Sequence, residues 1–146
     1  MENKIWFDMD GTIADLYAVE GWEEMLGVTH NPFPYETAEP MLNMSAFARL
    51  LHKAQRLGYE VCIVSWLAIG SNEEYDIAVT EAKLGWLNEH LPSVIWDEII
   101  IVAHGTPKAE IVGGGWLFDD EEKNRAGCGD RGLEPCEIME FLRGLK

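Results

Sequence analysis

Asp8 and Asp10 are the residues in this chain best placed to do chemistry. They stand two apart in Trp6-Phe7-Asp8-Met9-Asp10-Gly11-Thr12, at the end of a short apolar run. In an extended strand, residues i and i+2 face the same side. The two carboxylates therefore start out as neighbours where the strand ends, and Gly11 lets the chain leave in a tight turn. Carboxylates that close do not both stay ionised unless a cation joins them or one keeps a proton. Such a pair suits a nucleophile, a general acid/base and a metal. By itself the Asp-x-Asp-Gly pattern also reads as an Asx-turn leaving a strand.

Three further pieces follow in order. Val61-Cys62-Ile63-Val64-Ser65 is a second apolar run, closed by a hydroxyl. Gly105-Thr106-Pro107-Lys108 puts a lysine where Thr106 caps a helix with Pro107 at its first position. Trp116-Leu117-Phe118-Asp119-Asp120 is a third apolar run, closed by carboxylates. Alone, Ser65 reads as a turn residue and Lys108 as a surface charge. Asp119 closes a buried strand and is not a solvated charge, whereas Glu121 and Glu122 fit a solvated acidic run.

Taken together, DxDGT, Ser65, Lys108 and the Asp119-Asp120 pair resemble the haloacid dehalogenase superfamily of phosphohydrolases. The resemblance runs from Ile5 to Asn124. The passage from Thr106 to Asn124 is loosely similar to the 5′(3′)-deoxyribonucleotidase branch and its small phage and bacterial relatives. The resemblance implies that Asp8 attacks phosphorus to form an aspartyl-phosphate, and that Asp10 serves as acid and then base. It implies Mg²⁺ held by the Asp8 side chain, the Asp10 backbone carbonyl and Asp119. Lys108 would neutralise the phosphoryl oxygens, beside a helix N-terminus suited to anions. Ser65 would donate a hydrogen bond to them. Thr12 and Asn124 are supporting residues. Asp120 points away if the strand continues, and is expected behind the ligands or bound through a water.

The elements that must position these residues alternate along the chain. Strands are expected at Lys4–Phe7, Glu60–Ser65, Glu98–Val102 and Gly115–Phe118, with a fifth near Arg131–Leu133. Helices are expected at 15–26, from Ser45 to a stop at Gly58, from Ser71 or Asn72 to 91, after Thr106, and at 134–145. Glu98–Val102 is Ile-rich, as a buried parallel strand should be. The stretch from His30 to Pro40 holds Pro32, Pro34 and Pro40 and reads as a loop. Strands alternating with helices imply an α/β, Rossmann-like three-layer sandwich around a parallel sheet of about five strands. Its ligand site lies beyond the carboxyl ends of the strands.

Size and charge narrow the partners. The 146 residues, 47% of them hydrophobic, suit one domain spanning 1–146. No apolar run reaches membrane-span length, and Met1-Glu2-Asn3-Lys4 leaves no room for a signal peptide. The three cysteines form no Cys-x-x-Cys pair, which suggests reduced thiols and a cytoplasmic setting. With 26 acidic against 11 basic residues the net charge is −15, which disfavours duplex nucleic acid or an anionic membrane as partner. A small phosphorylated substrate then needs local positive charge, which Mg²⁺ and Lys108 would supply.

Haloacid dehalogenase enzymes select substrates with a cap. Only five residues separate Val102 from Lys108, so a cap fits only at about 12–42 and is minimal. Trp22, Phe33 and Tyr35 lie there. Trp22 reads as packing; Phe33 and Tyr35 either pack the cap or stack on a nucleobase, which points to a (deoxy)nucleoside monophosphate. The resulting expectation is a Mg²⁺-dependent phosphomonoesterase. The alternatives are a polynucleotide 3′-phosphatase and a non-catalytic binding module of the same fold.

Overall fold

In the computed structural model the described residues are 3–146. Met1 and Glu2, and with them part of the N-terminal run, lie outside the described residues.

The sheet has five parallel strands: β1 (Lys4–Phe7), β4 (Glu60–Trp66), β5 (Glu98–Val102), β6 (Trp116–Phe118) and β7 (Gly132–Leu133). Their spatial order is β5-β4-β1-β6-β7. The strand ending in Asp8 is therefore central, with Ile63 beside Phe7 on one side and Phe118 on the other. Alternate residues of β1 enter two cores. Ile5 and Phe7 pack with Phe47 and Leu51 of α3 (Met44–Arg56) and with Ile138 and Leu142 of α7 (Ile138–Arg143). Trp6 packs on the other face with Cys62, Val64, Leu117 and Val112 of α5 (Lys108–Val112). Helix, sheet and helix form the three layers expected.

The segment between β1 and α3 departs most from the sequence reading. A single helix at 15–26 does not form. A two-stranded ribbon pairs β2 (Ala14–Asp15) with β3 (Glu39–Pro40), a 3₁₀ turn covers Leu16–Ala18, and α1 is only Trp22–Gly27. The break falls at Gly21, whose φ of 79° is left-handed. The expected loop at 30–40 contains α2 (Phe33–Thr37). Pro34 lies in its first turn, where the missing N–H has no intrahelical partner to lose. Leu16, Leu26 and Tyr35 of this segment pack on Tyr75, Val79 and Ala82 of α4 (Glu73–His90).

Smaller differences concern caps and edges. Asn43, not Ser45, caps α3, accepting from Ala46 N at 3.0 Å. Asn72 caps α4 through Tyr75 N at 2.9 Å. Thr106 does not cap α5; its hydroxyl turns back to Ala103 O at 2.7 Å, and Pro107 holds the cap position. The Ile-rich β5 is an edge strand with partly exposed side chains, so its apolar run reflects strand propensity more than full burial. The C-terminal helix is shorter than expected, a 3₁₀ turn at Pro135–Glu137 leading into α7.

Candidate active site

Asp8 is the first residue past β1, and its N–H donates to Phe118 O at 2.9 Å. The chain then turns sharply: Met9 O accepts from the amides of Thr12, Ile13 and Ala14. Gly11 sits in that turn at φ 81°, and a Cβ there would collide with the Asp120 carboxylate and the Tyr17 ring. Glycine serves both the turn and the approach of Asp120.

The turn presents a buried ion cluster. Lys108, 2% exposed, donates to Asp8 Oδ1 and Asp119 Oδ2, each at 2.8 Å. Thr12 Oγ1 donates to Asp8 Oδ2 at 3.0 Å. Asp119 is held further by Glu121 N at 2.9 Å on Oδ1 and by Asn124 Nδ2 at 3.3 Å on Oδ2. Residues a hundred positions apart thus meet at one sheet edge because β1 and β6 are neighbours and α5 precedes β6.

Asp120 is not turned away. One oxygen each from Asp8, Asp119 and Asp120 lie within 4.8 Å of one another. The reason is that β6 ends at Phe118, so strand alternation lapses before Asp120. Burial pushes the Asp8 carboxyl well above the usual carboxylate range; Lys108 opposes this, while Asp119 and Asp10 add to it. Asp120 is also raised, chiefly by burial, against a hydrogen bond with Asp8. For Lys108 burial works against the charge, but Asp8 and Asp119 outweigh it and raise its pKa.

Three close carboxylates facing one lysine keep an excess of negative charge. Their hard oxygen donors fit Mg²⁺, which takes a few carboxylates and keeps waters. The Asp10 side chain is not part of this group. Its Oδ2 accepts from Lys83 Nζ at 2.9 Å.

Lys83 is the residue that sequence reading missed. It lies on α4, is 1% exposed, and also donates to Ser65 Oγ at 2.6 Å and Trp66 O at 2.8 Å. Periodicity offered a weak clue: Lys83 follows Ala82 on the buried side of that helix, next to positions assigned to the apolar face. Ser65 itself is wholly buried behind Lys83 and is not among the walls of the cavity.

A cavity of about 250 Å³ opens over Asp8, Asp10 and Lys108. Tyr17, Trp22, Tyr35, Trp66 and His104 are among its walls. Trp22 therefore faces the site as well as packing edge-on against Tyr17 at 4.9 Å. Tyr35 is buried with its ring 4.8 Å from Lys83 Nζ. Trp66 lies near two cations, Lys108 at 5.0 Å and Lys123 at 5.4 Å. Phe33 is about half exposed and does not line the cavity. Burial and the carboxylates Asp10 and Asp120 hold the Tyr17 phenol far above its usual range, so it remains a hydroxyl donor.

No family model and no curated protein matches the chain in sequence. Among solved structures, a D,D-heptose 1,7-bisphosphate phosphatase from Burkholderia thailandensis superposes with a TM-score of 0.52 at 12% identity, over 90% of this chain and 75% of that one. A protein from Vibrio cholerae aligns over 97% of this chain and 96% of that one, at 19% identity and a TM-score of 0.48. With Asp8, Lys108 and Asp119 joined at the edge of a five-stranded parallel sheet, the chain has the haloacid dehalogenase fold that its motifs imply.

Proposed function

We propose that this protein is a Mg²⁺-dependent phosphomonoesterase that works through an aspartyl-phosphate on Asp8. The observation that carries the reading is Lys108 bridging Asp8 and Asp119 at 2.8 Å each, where Asp8 and Lys108 line a cavity. A buried lysine shared by two carboxylates, with a third beside them, is costly to maintain for stability alone. It suits a site that must gather a phosphoryl group.

In this reading Asp8 attacks phosphorus as the ester P–O bond breaks, and Asp10 gives a proton to the departing oxygen. Asp10 then takes a proton from water, whose oxygen attacks phosphorus, and the bond to Asp8 breaks to release phosphate. Thr12 and Lys108 hold one Asp8 oxygen each and so aim the carboxylate. Lys108 also balances charge on the phosphoryl oxygens. Asn124 and the Glu121 amide fix Asp119. Asp8, Asp119 and the Asp10 backbone carbonyl would hold Mg²⁺, with Asp120 close enough to join directly. Bound there, Mg²⁺ would supply positive charge beside the phosphoryl group.

The segment at about 12–42 acts as a small cap, fixed on α4. Its aromatic walls, with Trp66, favour a flat apolar substituent over a polyhydroxylated one, and a deoxynucleoside monophosphate fits that chemistry. The test is a hydrolysis screen over nucleoside monophosphates, sugar phosphates and a 3′-phosphorylated oligonucleotide, with Mg²⁺ or excess chelator. Mg²⁺-dependent release of phosphate, highest in kcat/KM for nucleoside monophosphates, is the expected result. Full activity in chelator would remove the metal from the account; a preference for sugar phosphates would remove the nucleotide.

A further inference from the structure

We propose that Lys83 is a positioning residue for Asp10, an inference that rests on the phosphatase reading above. An ammonium has three donors and no acceptor. Here all three are used: on Asp10 Oδ2 at 2.9 Å, Ser65 Oγ at 2.6 Å and Trp66 O at 2.8 Å. The Tyr35 ring covers it, 4.8 Å from Nζ. Lys83 is 1% exposed and does not line the cavity, so it does not meet substrate. Asp10 does line it.

The arrangement is a chain of support. Two fixed points at the end of β4, a serine hydroxyl and a backbone carbonyl, set where the ammonium stands. The ammonium then holds one oxygen of Asp10, and proton transfer falls to the other, Oδ1. Asp10 opens the Gly11 turn, and among the described residues Lys83 is the hydrogen-bonding partner of its side chain. Ser65 thereby acts two steps from the chemistry, through Lys83, and not on the phosphate. Lys108 serves Asp8 and Asp119 while Lys83 serves Asp10, so the site divides its two buried lysines between nucleophile and acid/base.

The test is the dependence on leaving group, which a merely structural residue would not alter. Alkyl phosphates need a proton on the departing oxygen; nitrophenyl phosphate needs little. Lys83→Met should cut kcat/KM, which reads only the steps up to the aspartyl-phosphate, at least about tenfold more on an alkyl phosphate than on nitrophenyl phosphate. In an Asp10→Asn background the same change should alter kcat/KM no more than about twofold, because its target is already lost. Ser65→Ala, a small change that should fold even if Lys83→Met does not, should show the same bias with smaller size. Equal losses of kcat/KM on both substrates, or none, in Lys83→Met or in Ser65→Ala where Lys83→Met fails to fold, would overturn the inference and leave the phosphatase reading standing. A wild-type chain that hydrolyses neither substrate would overturn both.

Discussion

Asp8 is asked to be both buried and charged, and the consequences can be measured. Its carboxyl titrates well above the usual range because burial penalises the charge and Lys108 only partly compensates. Between the unfolded value, about 4, and the raised folded value, the folded chain binds more protons than the unfolded one. Stability therefore falls as pH rises through that window. Asp8→Asn removes the penalty. In chelator at neutral pH its Tm should exceed that of wild type, and the gain should shrink toward about pH 4. A melting series across pH checks this; no gain at neutral pH would mean Lys108 fully offsets the burial. Asp10→Asn should lower turnover by roughly 10²–10⁴-fold, the usual worth of general acid/base help. Most of these residues were legible because strand ends and helix starts are marked by residue type: Asp8, Lys108 and Asp119 each close or open an element. Lys83 was not, since it stands mid-helix and only tertiary packing of α4 over β4 gives it carboxylate and hydroxyl partners. Asp120 would point away only if the strand continued, and it does not: β6 ends at Phe118, two residues earlier, which leaves the Asp120 carboxylate near Asp8 and Asp119.

At the scale of elements, the parallel sheet was readable from its apolar runs, and the cap was not. The hydrophobic period in 15–26 suits a helix, but Gly21 and the β2–β3 ribbon divide it, and the proline-rich stretch hides α2. That helix separates the two aromatics which sequence left equivalent. Tyr35 is buried between the cavity and Lys83, whereas Phe33 faces solvent. Tyr35→Ala should raise KM for nucleoside monophosphates and lower Tm, since it also packs against α4. Phe33→Ala should leave both nearly unchanged. Steady-state kinetics with thermal melts would show it, and equal effects would put Phe33 on the substrate path. Trp22→Ala should raise KM with a smaller loss of Tm, because the ring is both wall and packing partner of Tyr17.

For the whole molecule the dominant fact is a net charge of −15 around a site proposed to take an anion. Three carboxylates beside Asp10 at the centre sharpen the conflict, and a bound divalent cation would relieve it. Mg²⁺ at about 100 times its Kd should add about 2.7 kcal/mol of stability, read as a rise in Tm. Asp119→Ala should reduce that rise. Longer phosphorylated oligonucleotides carry more charge past an acidic surface, so their KM should exceed that of a mononucleotide, with the gap closing as salt rises. Among the described residues no helix is long and apolar enough to cross a membrane. All these expectations depend on Asp8 taking up phosphate. The most direct test is to mix the protein with a turning-over phosphomonoester and Mg²⁺, quench in acid, and map the label by mass spectrometry. The account predicts one phosphoryl group on the peptide that contains Asp8, labile to base and absent from Asp8→Asn, which should not turn over. A label on another residue, or normal turnover by Asp8→Asn, would contradict it.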